Sequence, residues 1–84
     1  MEIKTKYDIG DKVYACWIER DNLVRVVDEV ISEIFITKNK EVRYYTEKII
    51  AEEWKEEELI PITNHEALIG RIDYLLERGY KENE

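Results

Sequence analysis

The chain is poor in the residues that staple, kink or catalyse: one cysteine, one histidine, one proline and three glycines in 84 residues. One cysteine excludes an internal disulfide and leaves no thiolate cluster for a metal. A small domain without such staples points to a reducing compartment. HExxH, CxxC, P-loop and GxGxxG patterns are all missing, so no motif announces metal, redox or nucleotide chemistry. No apolar run is long enough for a membrane-spanning helix. The opening Met1-Glu2-Ile3-Lys4-Thr5-Lys6 lacks the apolar centre of a secretory signal, and a cytoplasmic location is expected. Positive charge is also scarce. Thirteen Lys and Arg against twenty Asp and Glu give a net charge of −7. Binding to a phosphate backbone relies on cationic side chains that release counterions, so nucleic acid is not an expected partner.

What is present suits one small folded domain: 44% hydrophobic and 39% charged residues. Gly10-Asp11 forms a turn, after which Lys12 to Glu19 alternates. Val13, Ala15 and Trp17 share one face, and Tyr14, Cys16 and Ile18 the other, as in a strand covered on both sides. Arg20-Asp21-Asn22 suits a hairpin turn. Leu23 to Ile36 is rich in Val and Ile and reads as a long strand. It is expected to bulge or divide near Asp28-Glu29. A helix over about 24–34 is the alternative, which would give an α+β fold. Thr37 to Lys40 is a second turn. Glu41 to Lys48 is a returning strand with Tyr44 and Tyr45 on opposite faces. Ile49 to Trp54 reads as a short fourth strand or a bulged extension of the third. Lys55 to Leu59 reads as one helical turn, ended by Pro61.

The last third predicts a helix over 63–79. Thr63 and Glu66 fit a capping box. Leu68, Ile69, Ile72, Leu75 and Leu76 recur at helical spacing, and Gly79 suits the C-cap. Its apolar stripe is expected to close one open end of a barrel or to pair with a second copy in a homodimer. Gly70 is expected to allow close approach to the sheet. Residues 80–84 form a frayed tail. The fold class is therefore mostly β with one C-terminal α-helix: a small barrel over 7–62 and a helix, in a single domain over 1–84.

Several segments resemble small SH3-like barrels common in phages and prophages of Gram-positive bacteria. At the front, Gly10-Asp11-Lys12-Val13-Tyr14 looks like their opening strand. Val30-Ile31-Ser32-Glu33-Ile34 resembles their second strand, and Tyr44-Tyr45 the aromatic pair of the returning one. The tail carries Trp54, Glu57-Glu58-Leu59-Ile60, Thr63 and Glu66-Ala67, similar to their acidic ending before a helix. The chain departs from that pattern at Ile60-Pro61, where an aromatic is usual, and in its longer helix. Most members have no assigned catalytic residues, so the resemblance implies fold and origin rather than activity.

The expected function is a non-catalytic protein-binding module without cofactor or metal. Cys16 reads as a buried hydrophobe and His65 as a surface group of the first helical turn. Trp17 and Trp54 read as core. The candidate contact residues are Tyr14 and Tyr44, with the acidic cluster Glu52, Glu53, Glu56 and Glu57 facing a partner with a basic surface. Other expectations follow from the resemblance and the charge. One is an inhibitor of a host defence nuclease that mimics nucleic acid. Another is a homo-oligomeric component of a phage particle. A further expectation is nucleic-acid binding through a face carrying Lys38, Lys40 and Arg43.

Overall fold

In the computed structural model, residues 3–81 are described. Five antiparallel strands form one curled sheet in the order β4-β3-β2-β1-β5. They are β1 (Lys12–Ile18), β2 (Val24–Ile36), β3 (Val42–Thr46), β4 (Trp54–Lys55) and β5 (Leu59–Pro61). A 3₁₀ turn at Glu56–Glu58 links β4 to β5, and α1 (His65–Arg78) follows. A meander whose last strand returns to pair with β1 through a 3₁₀ turn is the architecture of a small SH3-like barrel, here open as a half-barrel. The helical alternative for 24–34 is overturned: the segment is a thirteen-residue strand.

Both hairpins are built alike. Glu19 N–H bonds Leu23 O while Asn22 N–H bonds Glu19 O, and Thr37 and Lys40 repeat the pattern with Glu41. In each, the last loop residue is left-handed, Asn22 at φ 63° and Lys40 at φ 66°. This is a type I turn closed by a left-handed residue.

The long strand changes parity part-way. Val24 to Val30 pair with β1 without interruption. The register then shifts between Ile31 and Glu33. The bulge therefore lies at Ser32, not at Asp28-Glu29. One extra residue lets Ile31 and Ile34, three positions apart, both face inward. The core comprises Tyr7, Val13, Ala15, Ile31, Tyr44, Trp54 and Leu59, with Trp17, Ile34, Val42 and Ile49 packed against it. Each aliphatic side chain buried in this way contributes about 1.5–3 kcal/mol.

Glu29 explains why no regular strand covers 49–53. Its carboxylate is 1% exposed. It accepts the Lys48 N–H at 3.0 Å and the Ile49 N–H at 3.1 Å. Those amides turn towards a buried acid instead of joining a ladder, and pairing resumes only at Trp54.

The helix also differs from its sequence reading. Asn64, not Thr63, is the N-cap, its Oδ1 accepting from Ala67 N–H at 3.0 Å. A turn that bonds Asn64 N–H to Pro61 O displaces the start by one residue. Gly79 closes the helix at φ 70° with its N–H on Leu75 O. The helix does not cap a barrel end. It lies against β1, on the face of Tyr14, Cys16 and Ile18, where the His65 ring meets Tyr14 edge-on at 6.4 Å. Leu68, Ile72 and Leu75 are covered, and Ile69 and Leu76 are 60% and 55% exposed. The packed stripe is thus narrower than the sequence suggests, because a single strand and the edge of the next offer little width. Gly70 faces open space, so close approach is not its role. Tyr80 is not frayed: its N–H bonds Asn22 Oδ1 at 2.9 Å. Residues 82–84 of the expected tail lie outside the described residues.

Candidate functional site: a tryptophan cleft lined by carboxylates

The six expected contact residues do not form one site: Tyr44 and Glu56 are hydrogen-bonded, Glu56 and Glu57 line one cleft, and Tyr14, Glu52 and Glu53 lie elsewhere. Tyr44 is fully buried, and its hydroxyl belongs to the core. It accepts the backbone N–H of Lys6 and of Tyr7, each at 3.2 Å, and donates to Glu56 Oε2. Glu56 Oε2 also accepts the Lys6 N–H at 2.8 Å, so Glu56 anchors the N-terminal segment. Tyr14 sits on the opposite sheet face beneath the first turn of α1, half-covered by His65. Glu53 is exposed on its own. Glu57 joins Glu56, Glu41, Arg43 and Lys55 around a cleft of mixed charge. Arg43 there is paired with Glu41. Among these glutamates only Glu52 lines a cleft with the two tryptophans.

That cleft is about 360 Å³ and is lined by Trp17, Glu19, Ile49, Glu52, Trp54 and Glu58. β1 positions its first wall. The inward series Val13, Ala15 and Trp17 continues to Glu19, where the strand leaves the core. β4 supplies Trp54, which is 4% exposed. Its indole N–H bonds Thr46 Oγ1 at 3.3 Å, and Thr46 in turn bonds Ile49 O at 3.5 Å. Glu29 holds the Ile49 amide, so the cleft floor is tied to a buried acid. The two indoles are tilted by 48° with centroids 5.8 Å apart. Trp17 is partly buried, so one indole is packed on the core yet still reaches the surface.

Three carboxylates surround the indoles, and they are engaged unequally. Glu58 Oε1 accepts the Lys55 N–H at 2.8 Å, closing the 3₁₀ turn. Glu19 has a distant partner in Arg25 at 4.0 Å. Glu52 has no hydrogen bond or ion pair among the described residues. Negative charge beside aromatic faces favours a cation, which is attracted by the ring quadrupole and by the carboxylates together.

Trp17 and Trp54 were expected in the core, and Trp54 is buried in it with Trp17 packed against it; Glu19, Ile49 and Glu58 are the cleft residues that sequence reading did not propose as contacts. A usable signal was present in β1, where a charged Glu19 ends the inward series two residues after Trp17. The cross-sheet meeting with Trp54 and Glu52 left no local trace.

Cys16 and His65 are the chain's single thiol and single imidazole. Cys16 is fully buried, and burial raises its thiol pKa, with the Arg71 charge acting in the opposite direction. His65 is exposed and meets the Tyr14 ring. Among the described residues no group of three or more His, Cys, Asp and Glu side chains is placed to hold a metal ion, and no helix is long and apolar enough to cross a membrane. Comparison with protein-family models, curated proteins and solved structures yields no match for this chain.

Proposed function

We propose that this domain is a non-catalytic binding module that receives a cationic side chain, Lys or Arg, of a protein partner in the Trp17–Trp54 cleft. The observation that carries this reading is the placing of Glu19 and Glu52 beside the partly exposed indole of Trp17. A Lys or Arg stem covers apolar ring surface while its charged head meets the carboxylates. The acidic cluster lines two different clefts. That division favours a cationic pocket over a row of phosphate mimics. The phage or prophage origin and a place in the host cytoplasm belong to the same proposal, and the resemblance of the front and tail segments supports them.

The test is a titration of intrinsic tryptophan fluorescence, which reports both indoles. The probes are blocked nine-residue Gly/Ser peptides carrying one Lys, one Arg or one Gln at the centre. Lys or Arg should quench or shift the emission at lower concentration than Gln. Raising the salt should weaken that response. Glu19→Gln with Glu52→Gln should remove most of the difference without changing the melting temperature. Equal responses to all three peptides would overturn the reading.

A further inference from the structure

A second cleft adjoins the first and has the opposite charge. It is about 240 Å³ and is lined by Trp17, Glu58, Arg71, Arg78, Tyr80 and Lys81, among others. Trp17 and Glu58 are walls of both clefts. Both arginines lie against the Tyr74 ring, each guanidinium 5.4 Å from its centroid, and Arg78 Nη1 donates to Tyr74 Oη at 2.7 Å. Among the described residues neither Arg71 nor Arg78 has an ion pair, in a chain with seven more acidic than basic residues. Arg71 Nε–H is moreover buried without an acceptor. Arg78 and Lys81 offset the negative end of α1. Arg71 stands two turns earlier and has no such role.

Resting on the cationic-pocket reading, we infer that the Arg71–Arg78 cleft takes a carboxylate of the same bound peptide. The partner is then a segment with a Lys or Arg and, a few residues away, an Asp or Glu, lying across Trp17. Charge complementarity fixes the direction as well as the affinity: the cationic end enters between Glu19 and Glu52, and the acidic end reaches Arg71 and Arg78. A guanidinium offers paired donors to a carboxylate, a geometry that Lys lacks.

The experiment uses blocked Gly/Ser peptides with one Lys and one Glu separated by two to five residues. The same peptides are made with Glu→Gln and, separately, with Lys→Gln. Affinity is read from tryptophan emission, and the Arg Nε–H resonances are followed by NMR. At the best spacing, Glu→Gln should weaken binding roughly fivefold to tenfold. In the Arg71→Gln/Arg78→Gln protein the same change should matter by less than about twofold. Arg78→Gln alone, at an exposed site, keeps the test available should Arg71→Gln disturb folding. Loss on Lys→Gln with indifference to Glu→Gln at every spacing would overturn this inference and leave the cationic pocket standing. Indifference to Lys→Gln would overturn the pocket itself. Inorganic phosphate that moves the Arg71 signal as far as the Glu peptide does would mark a bare anion site, against a peptide carboxylate.

Discussion

The hydroxyl of Tyr44 accepts the backbone N–H of Tyr7 at 3.2 Å, and the two rings meet edge to face at 5.4 Å and 72°. Through this pair the lead-in before β1 becomes part of the core, since Tyr7 is only 4% exposed and donates its own hydroxyl to Leu59 O. A phenol placed in mid-strand thus stitches residues 37 positions apart.

Tyr44→Phe keeps the ring and removes the stitch. The Tyr7 amide loses its acceptor, while the Lys6 amide retains Glu56. A loss of about 1–3 kcal/mol is expected, with a fall in Tm of about 4–8 °C per kcal/mol. Thermal unfolding measures it. Hydrogen exchange at Tyr7 should quicken more than exchange in β1.

Alkali should unfold the protein through the same pair. Burial first, then the charges of Glu56 and Asp11, pushes Tyr7 up to about 12. Burial, then its hydrogen bond to Glu56, does the same for Tyr44, also to about 12. The unfolded chain gives up these protons near pH 10, whereas the folded one retains them. The stabilisation is complete below pH 10 and is lost as pH rises from 10 to 12. Each pKa unit is worth about 1.4 kcal/mol. Urea denaturation followed from pH 8 to 12 should show the decline, and Tyr44→Phe should flatten part of it.

Glu29→Gln should be costly although it is nearly isosteric. The carboxylate accepts two amides, one on each oxygen. A Gln amide has only one acceptor atom and turns its NH₂ towards the other donor. A loss of about 1–3 kcal/mol is expected, read by denaturant unfolding. Ile49 is a wall of the tryptophan cleft, so the emission maximum should also shift.

Lys40→Gly should stabilise, because Lys40 is left-handed at φ 66°. The strain for a residue with a Cβ is about 1–2 kcal/mol, offset in part by the greater freedom of an unfolded glycine. The backbone change alone contributes a gain of about 0.5–1 kcal/mol, reduced by the loss of the interaction that Lys40 makes. Asn22→Gly at the matching hairpin position should give no such gain, since Asn22 Oδ1 holds the Tyr80 N–H. Comparing the two chemical melts checks both.

Gly70→Ala should raise stability by about 1 kcal/mol, the ordinary helix preference for Ala. A Cβ at Gly70 meets nothing within 4 Å. A rise in Tm checks it, and an unchanged or lower Tm would mean that the helix surface is covered in solution.

The elements were legible because they follow from periods and local chemistry. Alternation marked β1 and β3, β-branched content marked β2, and Gly79 marked the end of α1. The errors fell where a distant group overrode a local one. The stretch 49–53 carries strand-forming residues, yet Glu29, some twenty positions earlier, takes its first amides. Thr63 is a good cap, yet Pro61 O captures the next amide and passes the role to Asn64. Tyr44 has a polar tip that suits a surface, yet the N-terminal segment folds over it.

The sequence by itself determined a small acidic domain, its first three strands with their two turns, and a single terminal helix, since hydrophobic period and turn residues act over a few positions. Only the tertiary structure decided which acids are structural and which face an open cleft. Glu29 and Glu56 are spent on backbone amides, while Glu19 and Glu52 stand beside Trp17. A carboxylate's role depends on which donor lies within about 3 Å of it, and spacing along the chain carries no record of that.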